Sequence, residues 1–173
     1  MEKLNNISKF FLFLTFVFGV FWLGGYFIRQ IVVYQFFLPE DLSLRSIYKN
    51  QNLEVVINTI APIFVTNLLF YIAFIVTYFL FLISSRIKFK NEGWILFITL
   101  IVLITAPFEI YLLVKDYRLI SDIYFNNVSA FLLLDQIKAR IEVLSSFSLI
   151  EIFSYVGIIF LIVFRPLRKA NEN

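Results

Sequence analysis

The chain has 173 residues, suited to one domain, with a formal charge of +3 and neither His nor Cys. Those absences exclude disulfides, thiolate chemistry and Cys-ligated metals, and remove the commonest haem and zinc ligand and the usual general base near neutral pH. At 61% hydrophobic and 16% charged, the sequence cannot hide its apolar surface in a water-soluble fold; it reads as an all-α integral membrane protein, one four-helix transmembrane domain over residues 1–173.

The first apolar segment runs from about Phe10 to Tyr34, behind Lys3 and Lys9. It is too long for a secretory signal and no small-residue cleavage site follows, so it is expected to stay as the first helix. Thr15 and Gly19 form a small-x-x-x-small pair and Gly24-Gly25 adds a second close-approach point, both suited to tight helix packing. Arg29 comes near the far boundary of this helix. In the connection 38–59, Pro39-Glu40-Asp41 places Asp41 to cap a short helix from Leu42 to Lys49.

The second segment spans about Pro62 to Ile83, with Pro62 suited to its first turn. Leu53, Val55, Val56 and Ile57 also allow an earlier start and a kink at Pro62. The third spans about Trp94 to Val114, with Pro107 well inside it as the better kink candidate. In the connection 115–147, Asp116 and Asp122 have no evident partners and read as solvated. Farther on, Ala130, Leu134, Ile137, Ile141 and Leu144 recur at helical spacing and describe an amphipathic helix of about Ser129 to Ser146. It either lies on the membrane surface, the default for such a helix, or packs over the bundle as a lid. The fourth segment, about Ser148 to Phe164, carries a small patch at Ser154 and Gly157.

Flanking charges orient the bundle. Lys3, Lys9, Arg86, Lys88, Lys90, Arg165, Arg168 and Lys169 crowd into three short segments, whereas the basic residues of 38–59 and 115–147 are sparser and nearly balanced by acids. The positive-inside rule then gives an N-in, C-in topology, in a cell membrane whose compact protein suits a bacterium.

Each apolar segment places a polar group in its outer third: Arg29, Asn67, Glu109 and Glu151. Glu109 lies about six residues, roughly 9 Å, below the outer end of its helix. A lone carboxylate at such depth is costly, so both should face the protein, with Arg29 as counter-ion unless it snorkels to the surface. This layer is either an ion-pair and amide network that fixes helix register or a proton- or cation-binding site open to the outside.

No phosphate loop, nucleophile elbow or metal box is present, and no catalytic set, cofactor or metal is expected. The basic residues are accounted for by topology rather than by a nucleic-acid face. The expected partners are the lipid bilayer and another membrane protein or further copies of the chain. The leading functional expectation is a non-catalytic membrane subunit or scaffold of a larger complex. The alternatives are a small oligomeric proton- or cation-coupled transporter or channel using the outer-leaflet carboxylates and, last, a lipid-acting enzyme.

Overall fold

The computed structural model describes residues 4–48, 53–87, 89–126, 128–143 and 147–166. Lys3, Lys49, Lys88, Leu144, Ser146, Arg168 and Lys169 lie outside them. The described residues form five α-helices: α1 (Asn6–Tyr34), α2 (Leu53–Ser85), α3 (Gly93–Tyr124), α4 (Ala130–Val143) and α5 (Phe147–Phe164). All but α4 are long and apolar enough to cross a membrane. In lipid a backbone must satisfy its own hydrogen bonds, and a helix does so within one segment.

Local chemistry sets the helix ends. The Asn5 side chain caps α1 by accepting a hydrogen bond from the Ser8 backbone N–H at 2.6 Å. At the other limit, α2 and α5 give way to Arg86 and Arg165, both left-handed with φ of 50° and 45°. The Arg165 N–H still reaches the Leu161 carbonyl at 3.0 Å, which closes the last turn.

At 33 and 32 residues, α2 and α3 are roughly 50 Å long, well beyond the ~30 Å hydrocarbon core. Hydropathy marks where lipid ends, but a helix continues as long as a neighbour buries its apolar side chains. Leu53 and Ile57 extend α2 ahead of Pro62, and Leu119 extends α3 past Val114, all of them buried. The earlier start of α2 therefore prevails, and Pro62 sits inside that helix. Much of the stretch legible in the sequence only as connection is helix.

The segment after α1 departs from the expected short helix. Asp41 accepts the Ser43 N–H at 2.9 Å instead of capping a helix, and that bond holds its carboxyl below the usual carboxylate range. With Leu42 left-handed, the chain turns back so that Leu38 and Ser43 pair at 2.8 Å, followed by a single 3-10 turn at Ser46–Tyr48.

Two apolar clusters fill the bundle. One, nearer the termini, gathers Trp22, Phe74, Tyr78, Trp94 and Tyr155, with the Trp22 ring stacked on Phe74 and edge-on to Tyr155. The other joins Phe36, Ile57 and Phe64 to Leu133, Leu134, Ile137 and Ile141 of α4. Around them, large apolar side chains stand bare, Ile83 and Phe153 more than 70% exposed, as lipid-facing surfaces do. Between helices in lipid the hydrophobic effect drives little association, so packing and polar contacts carry more of the specificity. α4 buries Leu133, Leu134, Ile137 and Ile141 in the same cluster as Leu53 and Ile57 of α2 and Leu119 of α3, and burial of such apolar area drives association wherever the surroundings are water. Ile137→Ala is expected to cost about 2–5 kcal/mol and to free α4, detected as faster amide exchange over 130–143; unchanged exchange there would contradict the packing.

Candidate functional site: a buried polar layer

Each of the five helices sends a polar side chain into the zone between the two apolar clusters. α1 contributes Arg29, α2 Asn67, α3 Glu109 and Asp116, α4 Arg140 and α5 Glu151, all 7% exposed or less. The layer forms because the helices meet here with polar residues interrupting their apolar stripes, twice on α3. On α3, Glu109 and Asp116 are seven residues apart, two turns, and so share one face.

The firmest contacts centre on Asp116. Its two carboxylate oxygens take separate guanidinium donors, Arg29 Nη1 at 2.6 Å on Oδ2 and Arg140 Nε at 2.5 Å on Oδ1. Asp116 is therefore a buried bridge rather than a solvated residue. The extension of α3 lowers it under α4, whose Arg140 completes the triad. Arg29 is turned inward, its guanidinium 4.8 Å from the Tyr26 ring centroid, instead of snorkelling. Its direct partner is Asp116 rather than either glutamate. Burial opposes the Arg140 charge, but the carboxylates of Asp116 and Glu109 outweigh it and hold the group above its ordinary value. Asp122 is also partnered: Asn126 donates to it at 2.7 Å and Gln136 at 2.6 Å.

Glu109 and Glu151 are differently placed. Both are fully buried, their carboxyl groups neighbour one another, and Tyr26 flanks Glu151. None of their four oxygens receives a hydrogen bond of good geometry from a described donor. Nearby, Arg29 Nε and Nη2, Arg140 Nη2, both side-chain atoms of Asn67, Trp22 Nε1 and the Tyr71 hydroxyl are buried without partners as well. Buried polar groups are normally satisfied by protein or by ordered water, so these atoms are the ones through which water or an ion would bond within the layer. With every group ionised, the layer holds the three carboxylates Glu109, Asp116 and Glu151 against the two guanidiniums Arg29 and Arg140. One positive equivalent, a proton or a small cation held by the glutamate pair, balances it.

Hydroxyl groups continue from this layer toward the termini. Thr105, one turn below Glu109, meets the Tyr155 hydroxyl at 3.3 Å, and Tyr155 lies one turn below Glu151. Farther along, the Tyr78 and Thr99 hydroxyls meet at 2.7 Å. Asp116, Arg140 and these four hydroxyl residues do not stand out in the sequence. The seven-residue spacing of Glu109 and Asp116, which puts both on one face of α3, is the one signal that could have pointed to any of them.

The small residues occupy unequal positions. Thr15 is buried with its hydroxyl on the Phe11 carbonyl at 2.8 Å, and a Cβ at Gly19 would meet the Phe74 ring at 3.2 Å. At Gly25 it would meet Asn67 Oδ1 at 3.0 Å, so this glycine lets α2 bring its amide against α1. Gly24 and Gly157 have open space, and Ser154 bonds its own helix at the Ile150 carbonyl. Gly24→Ala is accordingly expected to raise stability by up to about 1 kcal/mol, whereas Gly25→Ala gains less or loses. Thermal unfolding of the two variants in one detergent checks this; equal gains would contradict the close approach at Gly25.

No protein-family model matches the chain, and no curated protein or solved structure is similar to it.

Proposed function

We propose that this chain is a multi-pass protein of the bacterial cell membrane, N-in and C-in, whose buried polar layer takes up a proton or small monovalent cation from the outer side. The observation that carries this reading is the Glu109–Glu151 pair: two neighbouring carboxyl groups, sealed from solvent beside Tyr26, in a layer one positive charge short of balance. A network serving only helix register would be expected to satisfy its members, because a half-satisfied buried network is less stable than an apolar one.

On this reading Asp116, Arg29 and Arg140 form the fixed frame and the glutamates the exchanging site. α4 closes it from outside, and movement of α4 would carry Arg140 away and open the layer to water. The Thr105–Tyr155 and Tyr78–Thr99 pairs supply the hydroxyls of a route toward the inner face. A four-helix unit is thin for a transport path, so the working form is an oligomer or a complex with another membrane protein.

Proteoliposomes containing only this protein test the proposal. Under a proton gradient, a trapped pH-sensitive dye is expected to report a flux that depends on pH and is lost in Glu109→Gln and Glu151→Gln. If the parent carries no flux, the transport reading fails and the non-catalytic subunit takes its place, to be sought by identifying a stoichiometric partner after gentle detergent purification.

A further inference from the structure

A second feature lies in the other half of the bundle. α1 packs chiefly on α2 and touches α5 little, which leaves a cleft of about 180 Å³ between α1 and α5 that reaches in to α2 and α3. Its walls are almost wholly apolar, among them Gly19 and Ile158, and Arg165 is the one charged wall residue among those described. On α1 the cleft runs from Leu12 to Leu23, roughly 16 Å at 1.5 Å per residue, close to the ~15 Å of hydrocarbon in one leaflet.

Arg165 sits at the end of the cleft nearest the headgroups. Its guanidinium is 5.6 Å from the Trp94 ring centroid, and it makes no ion pair among the described residues. Trp94 is itself oriented by Glu92, which accepts its indole N–H at 2.6 Å. The backbone of Arg165 is left-handed, a conformation glycine adopts without strain and other residues adopt at about 1–2 kcal/mol. That turn ends α5 and sets the Arg165 side chain at the mouth of the apolar slot.

We infer that the cleft is a lipid site that takes one acyl chain of an anionic phospholipid, with the phosphate held by Arg165. The walls match a hydrocarbon tail, their length matches one leaflet, and the single cation lies where a headgroup would be. This inference is independent of the polar layer, which lies in the opposite half.

Tryptophan quenching by brominated lipid tests it. The full-length protein is placed in phosphatidylcholine vesicles containing increasing amounts of phosphatidylglycerol or phosphatidylcholine with brominated chains. Trp94 lines the cleft and Trp22 lies one ring behind it on Phe74 and Tyr155, so both indoles report a brominated chain bound there. The brominated phosphatidylglycerol is expected to reach half-quenching at about fivefold lower content, the preference one basic residue confers for an anionic lipid. Arg165→Gln should abolish that preference, while Arg165→Lys and Arg86→Gln retain it. Equal half-quenching contents in the parent overturn the proposal, even if Arg165→Gln fails to fold. So does a preference that survives Arg165→Gln, or one that is lost in Arg86→Gln, which would reduce the effect to the general basic character of that face.

Discussion

Replacing Asp116 by Leu is expected to be the most damaging single substitution in this protein. It leaves the guanidiniums of Arg29 and Arg140 facing each other in the interior with no carboxylate between them. Breaking a buried pair in this way costs about 3–5 kcal/mol, because the stranded charge has already left water. Most of the folded population would be lost, read as a large fall in the thermal midpoint in detergent. The variant Arg29→Met, Asp116→Leu, Arg140→Met combined with Glu109→Gln and Glu151→Gln removes every charge of the layer together and is expected to recover much of the loss, since an uncharged replacement of similar volume often matches a buried ion network. If Asp116→Leu alone unfolds at the parent's temperature, the triad does not hold the layer together.

The second large effect is a failure of additivity at the glutamates. Glu109→Gln or Glu151→Gln alone leaves two carboxylates against two guanidiniums, a balanced layer that needs no bound proton or cation. The new amide also offers donors to the remaining carboxylate. Each single variant should therefore be at least as stable as the parent while losing uptake. The double variant leaves one guanidinium uncompensated and should fall by about 3–5 kcal/mol, far more than the sum of the singles. Parallel unfolding curves of the four proteins give the coupling directly, and a double variant equal to the sum would contradict the charge count.

Much of the frame was legible because the apolar segments are long and nearly uninterrupted. A helix in lipid announces itself by composition, and each of the four expected apolar segments falls within one of the four long apolar helices. The extensions of α2 and α3 were hidden because residues 53–61 and 115–124 mix polar and apolar residues. Their helical state depends on Leu53, Ile57 and Leu119 finding partners, which is a tertiary fact. Arg29, Asn67, Glu109 and Glu151 were visible because each interrupts an apolar run. Asp116 and Arg140 were not, because each sits among charged neighbours that reach solvent, and only the position of α4 across α3 turns these two inward. The same dependence explains Asp41, whose side chain serves a turn set by the Leu38–Ser43 pairing rather than a helix cap.

The central claim, that the Glu109–Glu151 pair holds one exchangeable positive equivalent, is tested most directly by infrared difference spectroscopy on the protein in liposomes. In buffer free of added metal cations, the parent is expected to show the carbonyl stretch of a protonated carboxyl group at neutral pH, a band that vanishes in both Glu109→Gln and Glu151→Gln. A parent spectrum without that band, or a band that persists in both variants, would contradict the account.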